Sequence, residues 1–283
     1  MNTVRKIEKL KSTLRDIRSL GKSVGFVPTM GYLHEGHLSL VKASLKKADC
    51  TVVSIFVNPT QFGPKEDFKE YPRDLEADSQ FLEKLGVDVL FYPNTSEIYP
   101  SDYKTYVEVE DLQDKLEGRS RPGHFRGVCT VVLKLFHIVQ PDVAFFGQKD
   151  AQQAIILKRM VSDLNLDVRI EVMPTVRDED GLALSSRNVY LNTEQRQAAL
   201  CLSRSLDEAA GMIRSGERRT APIVDRMREI VGGEVLAKLD YIAIVDRATL
   251  APLEEIKEDA LIALAVFFGR IRLIDNIVVS AQE

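Results

Sequence analysis

Two histidines three residues apart, His34 and His37, sit where an apolar run gives way to an amphipathic one. The stretch around them, Phe26–Leu40, reads FVPTMGYLHEGHLSL. Val24–Thr29 has the apolar content of a buried strand, and Pro28 marks its passage into a turn. From Gly36 onward, Leu38, Val41 and Leu45 form one helical stripe, with Lys42, Lys46 and Lys47 outside it. A strand, a glycine turn and a helix N-terminus make an anion site, because the first helical turn has unpaired N–H groups and the positive end of the dipole. Gly36 lacks a Cβ, so a ligand can approach the backbone there. Two imidazoles on one turn can donate hydrogen bonds to a polyphosphate, whose charge favours their protonated forms. The pair is also open to plainer readings, as surface histidines or as part of a metal site. No third ligand stands near them, since His124 and His137 are distant in the sequence.

Other residues could join such a site. The apolar run Thr51–Val57 ends in Asn58-Pro59-Thr60-Gln61, and polar side chains just past a buried strand are where open α/β sheets place ligands. Gln61 is a candidate contact for a small polar substrate, with turn capping as the alternative. A second strand, Asp142–Phe146, delivers Gly147-Gln148-Lys149-Asp150 and a helix that starts Ala151-Gln152-Gln153. Lys149 is a point charge suited to a phosphate, Asp150 suits either a helix cap or a ligand, and Gln153 lies one turn in. Ser185-Ser186-Arg187 offers two hydroxyls and a guanidinium to phosphate oxygens. The run Glu117–Gly127, EGRSRPGHFRG, reads as a mobile loop whose Arg119, Arg121 and Arg126 face either an anion or solvent. Asp74 and Asp78, four apart, can share a metal ion; the commoner reading is that they complement a helix N-terminus and face water.

The elements that must hold these residues alternate in the first half of the chain. An N-terminal amphipathic helix through Val4, Ile7, Leu10, Leu14, Ile17 and Leu20 precedes the strand near Val24–Val27. Helices are expected near 36–48 and 71–85, strands near 51–57, 87–92, 142–146 and 168–173, and an apolar helix over Val128–Val139. Residues 177–188 read as a polar loop or linker. Asn192 and Gln195 then suggest a capping box for a long helix reaching about Ser215. After a helix near 221–231 and a strand at Leu239–Val245, two apolar runs flank Phe268-Gly269-Arg270 as an antiparallel hairpin. The expectation is an α/β domain over 1–175 and a small α+β domain over 176–283.

Composition excludes several classes. Of 283 residues, 45% are apolar and 28% charged, as in a soluble globular protein. With 38 basic and 42 acidic residues the net charge is −4, which argues against a nucleic-acid binder. No run approaches ~18 uninterrupted apolar residues, so no membrane span is expected. The cysteines Cys50, Cys129 and Cys201 form no C-x-x-C and fit a reducing cytoplasm.

Taken together, VPTMGYLHEGHLSLV, VSIFVNPTQFGPKEDFKEYPRD, RPGHFRGV, FFGQKDAQQ and PTVRDEDGLALSSRNVYL resemble the pantothenate synthetase (pantoate–β-alanine ligase) family of the H-x-G-H nucleotidyltransferase-like superfamily. The likeness covers about residues 20 to 192; the tail fits by length and pattern. It implies a Rossmann-like ATP-binding domain, a C-terminal domain that closes over the active site, a cytoplasmic homodimer, and Mg²⁺ carried on ATP phosphates rather than by known protein ligands. It implies ATP-dependent joining of pantoate and β-alanine through a pantoyl-adenylate, with release of AMP and pyrophosphate. Carried over by position, Met30, Gly31, Tyr32, Leu33, His34, Glu35, Gly36 and His37 would line one side of the ATP site. Gly147, Gln148, Lys149 and Asp150 would hold the nucleotide from the second turn, with Val176 near the adenine and Leu184, Ser185, Ser186 and Arg187 over the phosphates. His37, His34 and Lys149 would be catalytic, and Gln61 and Gln153 would hold pantoate, Gln61 also placing β-alanine. Gln148 stands where many members have Glu, and Ala151 where many have an aromatic residue. Two rival functions are a nucleotidyltransferase with a phosphorylated acceptor, which neutral Gln61 and Gln153 disfavour, and a non-catalytic nucleotide sensor.

Overall fold

Val24–Thr29 (β2), Cys50–Ile55 (β3) and Val143–Gly147 (β5) are apolar enough to be covered on both faces, and they form the middle of a six-stranded parallel sheet. This computed structural model describes residues 1–64 and 66–280; Lys65, inside the second matching string, and residues 281–283, at the end of the expected C-terminal domain, lie outside them. Contacts divide the chain into two units: Met1–Gln148 with Gln152–Pro174, and Lys149–Ala151 with Thr175 onward.

In the first unit the strand order is β1-β4-β3-β2-β5-β6, where β1 is Asn2–Val4, β4 Val89–Phe91 and β6 Arg169–Met173. Every pairing is parallel, with Val24 opposite Cys50, Gly25 opposite Val143 and Phe145 opposite Glu171. Helices α1 (Ile7–Ser19), α2 (Glu35–Lys47), α3 (Leu75–Leu85), α4 (Thr95–Ile98), α5 (Glu117–Ser120), α6 (His124–Val139) and α7 (Ala151–Asp163) supply the crossovers and connections. Helix α2 buries Leu38, Leu40, Val41 and Ala43 against β2, β3 and β5. Each such Leu or Val contributes about 1.5–3 kcal/mol. The chain order reverses between β2 and β5, so their C-terminal ends form a switch point.

The structure departs from the expected elements in places with a common cause. Val4, placed in the N-terminal helix by its spacing, belongs to β1 and faces Phe91 of β4. The edge of the sheet thus captures three residues that local pattern alone assigns elsewhere. Helix α3 begins at Leu75 rather than near 71, because Asp74 caps it by accepting from Ala77 N–H at 3.0 Å. The segment 117–127 is ordered into α5 and the start of α6, with Glu117, Gly118 and Phe125 buried.

The second unit contains α8 (Thr193–Ala198), α9 (Cys201–Arg214), α10 (Thr220–Gly232) and a three-stranded antiparallel sheet of β7 (Ala237–Asp246), β8 (Ala260–Phe268) and β9 (Ile271–Val279). Asn192 and Gln195 form the expected capping box, but the helix breaks at Ala199-Leu200. Gly269, at φ 61°, turns the hairpin in two residues so that Phe268 pairs with Ile271. Strand β8 lies between the others and packs Ile262, Leu264 and Val266 with Leu202 and Leu206 of α9 and Met227 of α10.

Candidate active site

Strand β2 hands over to α2 through Met30–His34, a loop of unusual conformation. Gly31 and Tyr32 both have positive φ, 83° and 54°. Thr29 steadies the start: its hydroxyl donates to Ser54 C=O at 2.8 Å and accepts from Gly31 N–H at 3.2 Å. The carboxylate of Asp78, on α3, accepts from Tyr32 N–H at 2.8 Å and Leu33 N–H at 2.7 Å. Asp78 is only 2% exposed, so the solvent-facing role expected for it is wrong. A first-turn acid normally complements its own helix; here it is turned inward because the loop offers two otherwise unpaired buried donors. Burial pushes the Asp78 carboxyl up from its ordinary value, against the pull of the Leu33 and Tyr32 N–H groups, and Asp74 adds to the rise.

His34 is the N-cap of α2. Its Nδ1 accepts from Gly36 N–H at 3.2 Å, and His37 Nδ1 lies 3.4 Å from His34 N–H. The two rings lie face to face at a tilt, with centroids 4.1 Å apart. A ring nitrogen that accepts a hydrogen bond carries no proton, so these contacts place the proton of each neutral ring on Nε2. Each histidine is thus held through Nδ1 at the positive end of a helix. The capping interaction chooses the tautomer, which spacing alone left open.

The end of β3 is organised by Asn58, which is 1% exposed. Its Nδ2 donates to Gln61 Oε1 at 3.0 Å and to Gly127 C=O at 3.1 Å, while its Oδ1 accepts from the Tyr99 and Thr60 hydroxyls, each at 3.0 Å. Gln61 ends a 3₁₀ turn, Pro59–Gln61, and with Oε1 engaged its Nε2 lies 3.2 Å from Met30 Sδ. The structure thus joins Gln61 to the Met30 loop, and its capping and ligand readings are compatible. Arg121 makes a bidentate pair with Glu66 at 2.8 and 2.7 Å, and His124 Nδ1 lies 2.9 Å from Gln61 C=O. Arg121 is therefore engaged with Glu66 and the Gln61 carbonyl rather than exposed in a loop. Arg126 instead covers the Tyr106 ring at 3.6 Å.

At the end of β5, a strand that pairs with β2 through Val143 and Ala144, Gly147 lies opposite Met173 of β6 and leads into Gln148. Gln152 is buried and holds a turn, accepting from Glu117 N–H at 2.9 Å and donating to Leu112 and Lys115 C=O at 2.9 and 2.8 Å. Its neighbour Gln153 is half-buried on the first turn of α7. Ala151 is buried at 6% exposure.

In the second unit, Lys149 lies 3.7 Å from Asp150, and its C=O accepts from Asn276 Nδ2 at 2.9 Å. The segment read as a linker is a hairpin: Arg177 bridges Ala183, Leu184 N–H donates to Val176 C=O at 3.0 Å, and Gly181 takes the turn at φ 95°. It brings Val176 and Leu184 together. Arg177 anchors it to β9 through a bidentate pair with the buried Asp275, at 2.6 and 2.9 Å. Ser185 caps the next 3₁₀ turn, Ser186–Tyr190, by accepting from Arg187 N–H at 3.2 Å, and Ser186 is buried. Gln152 and Asp275 organise these segments through partners far away in the chain, and nothing local in the sequence marks them. Asn58 and Asp78 stand in turns that the sequence marks, but their contacts to Gly127, Tyr99, Tyr32 and Leu33 come only with folding.

A family model described as pantoate-beta-alanine ligase matches residues 2–278. The chain belongs to the pantoate–β-alanine ligase family. It is 56% identical over 270 residues to a pantothenate synthetase of Pelotomaculum thermopropionicum, covering 95% of this chain and 96% of that one. The crystal structure of pantothenate synthetase from Thermus thermophilus matches with a TM-score of 0.94 at 46% identity, over 98% of this chain and 99% of that one. A pantoate-beta-alanine ligase from Francisella tularensis, complexed with beta-gamma ATP and beta-alanine, matches with a TM-score of 0.81 at 35% identity, over 100% and 98% of the two chains. The Rossmann-like sheet and the small antiparallel sheet are those of this ligase family.

Proposed function

We propose that this ligase joins pantoate to β-alanine through a pantoyl-adenylate, releasing pyrophosphate and then AMP. The observation that carries the reading is the His34–His37 pair at the start of α2, whose backbone contacts engage both Nδ1 atoms at the helix N-terminus. A carboxylate is a poor acylating agent because oxide is a poor leaving group. In the first step the pantoate carboxylate oxygen attacks the α-phosphorus of ATP, and the bond to the bridging oxygen of pyrophosphate breaks. In the second the β-alanine amine attacks the acyl carbon, loses a proton, and AMP leaves.

Negative charge grows on phosphate oxygens in the first step, so the protein must supply fixed donors and cations. In this reading His34 and His37 serve the phosphates from Met30–His37, and His37 donates its Nε2–H hydrogen bond to the leaving pyrophosphate, steadying the charge that grows there without itself losing the proton. Gly147, Gln148, Lys149 and Asp150 hold the nucleotide from the second turn. Val176 meets the adenine, and Leu184, Ser185, Ser186 and Arg187 close on the phosphates as part of a C-terminal domain over 176–283. The Gln61 amide, oriented by Asn58, offers N–H to pantoate and helps place β-alanine, and Gln153 holds pantoate. Holding the reactants in line is worth up to ~7–11 kcal/mol.

Among the described residues no group of three His, Cys, Asp or Glu could hold a metal ion. Mg²⁺ enters this reading on the triphosphate, where it would neutralise phosphate charge. A homodimer and a cytoplasmic location complete the reading, and light scattering on the purified protein tests the first.

The decisive assay supplies ATP, Mg²⁺ and pantoate with and without β-alanine and separates the nucleotide products. AMP and pyrophosphate formed in step with pantothenate support the reading. ADP and phosphate would replace adenylation by phosphorylation, and ATP binding without turnover would favour the sensor.

A further inference from the structure

We propose that Asp78 is the positioning residue of the nucleotide loop: its carboxylate holds Gly31-Tyr32-Leu33 in the one conformation from which α2 presents His34 and His37. The inference rests on the reading of Met30–His37 as an ATP-binding loop.

Three observations converge on it. Both carboxylate oxygens are engaged, one by Tyr32 N–H and one by Leu33 N–H, at 2.8 and 2.7 Å. The loop they hold includes Tyr32 at φ 54°, a left-handed conformation that a residue with a side chain enters only when its surroundings impose it. The fit is also tight: a Cβ on Gly31 would lie 3.0 Å from Asp78 Oδ2 and 2.9 Å from Ile55 Cγ2. Asp78 comes from α3, more than forty residues along the chain, so this is a tertiary restraint and not a local turn. It is placed directly before the N-cap His34, so any relaxation of the loop alters the entry of α2 and the aim of both imidazoles. The carboxylate is 2% exposed, which leaves it as a scaffold for the loop rather than a group that meets substrate.

Aspartate suits this task because it has two acceptors and no donor. Asparagine keeps the shape but offers a single acceptor oxygen, and its NH₂ would oppose one backbone N–H. Alanine removes both acceptors. Losing a hydrogen bond to a charged group corresponds to roughly tenfold or more in an equilibrium. Because the loop serves the nucleotide, that loss should fall on ATP.

The test compares wild type, Asp78→Asn, Asp78→Ala and Gly31→Ala by thermal unfolding and by initial rates, with KM measured separately for ATP, pantoate and β-alanine. The expected result for folded Asp78→Asn is an ATP KM raised roughly tenfold, with the β-alanine KM within about twofold of wild type. A merely structural role would lower the melting temperature and the active fraction without separating the two KM values. Gly31→Ala keeps the carboxylate but crowds it, and should reproduce the selective ATP defect; it decides the matter if both Asp78 variants fail to fold. A folded Asp78→Asn or Gly31→Ala protein with wild-type KM for ATP overturns the proposal. If wild type itself makes no AMP from ATP, pantoate and β-alanine, the functional reading fails instead, and the two failures are distinguishable.

Discussion

His37 is a donor through one nitrogen only. Its Nδ1 faces the His34 N–H, so in the proposed mechanism Nε2–H meets the phosphates. His37→Ala removes that donor from an exposed helix start without opening the core, since His37 is only half-buried. The expected outcome is a kcat lower by about 10²–10⁴-fold with an unchanged circular dichroism spectrum. Near-normal turnover would take His37 out of the chemistry. Gln153 tests a different contact. Its neighbour Gln152 carries the structural bonds of this turn, to residues 112, 115 and 117. Gln153→Ala should therefore spare stability and raise the pantoate KM by roughly tenfold, about the worth of one hydrogen bond. A defect confined to ATP would mean that the assignment of the pocket is reversed.

At the scale of elements, the approach of α6 to the end of β3 sets Gln61. A Cβ at Gly127 would lie 2.4 Å from Thr60 C=O and 2.6 Å from Gln61 N, both backbone atoms that cannot swing aside. The same glycine gives its C=O to Asn58, the residue that orients the Gln61 amide. Gly127→Ala is expected to cost about 1–3 kcal/mol of stability through overpacking. It should also raise the pantoate KM by moving Gln61. Chemical denaturation alongside initial rates checks both effects, and a protein as stable and as active as wild type would show that α6 can retreat without consequence. Such a contact explains why glycine-rich EGRSRPGHFRG looks like a loop in sequence. Its glycines serve close packing, with Gly118 likewise against Gln113 C=O and Phe125.

At the scale of the molecule, each unit has its own core, and the three cysteines report on both. Cys50 and Cys129 lie in the first unit and Cys201 in the second, all buried and unpaired as disulfides. Burial pushes the Cys50 thiol up to about 11 and those of Cys129 and Cys201 up to about 12. The thiolate is the reactive form, so near pH 8 the native protein should leave all three unmodified by a thiol reagent such as DTNB. In denaturant all three should react. Rapid reaction of the native protein at any one of them would show that its unit opens readily. Stepwise exposure with rising denaturant, Cys201 apart from the other two, would show that the cores unfold separately.

Much of this was legible in sequence because it rests on local pattern. Apolar runs marked five of the six parallel strands, glycine and polar residues marked the strand ends, and Asn192 with Gln195 announced their capping box. The family strings identified the ligase family before any coordinate. What stayed hidden depends on partners distant along the chain. Val4 became a strand because β4 offered it an edge, and Asp78 turned inward because two loop N–H groups needed an acceptor. The tautomers of His34 and His37, the orientation of the Gln61 amide and the anchoring of the 177–183 hairpin by Asp275 follow from hydrogen bonds made only on folding. Periodicity determines which faces are buried; only the tertiary structure decides which polar group meets which, because a buried donor or acceptor must find its partner wherever the fold brings one.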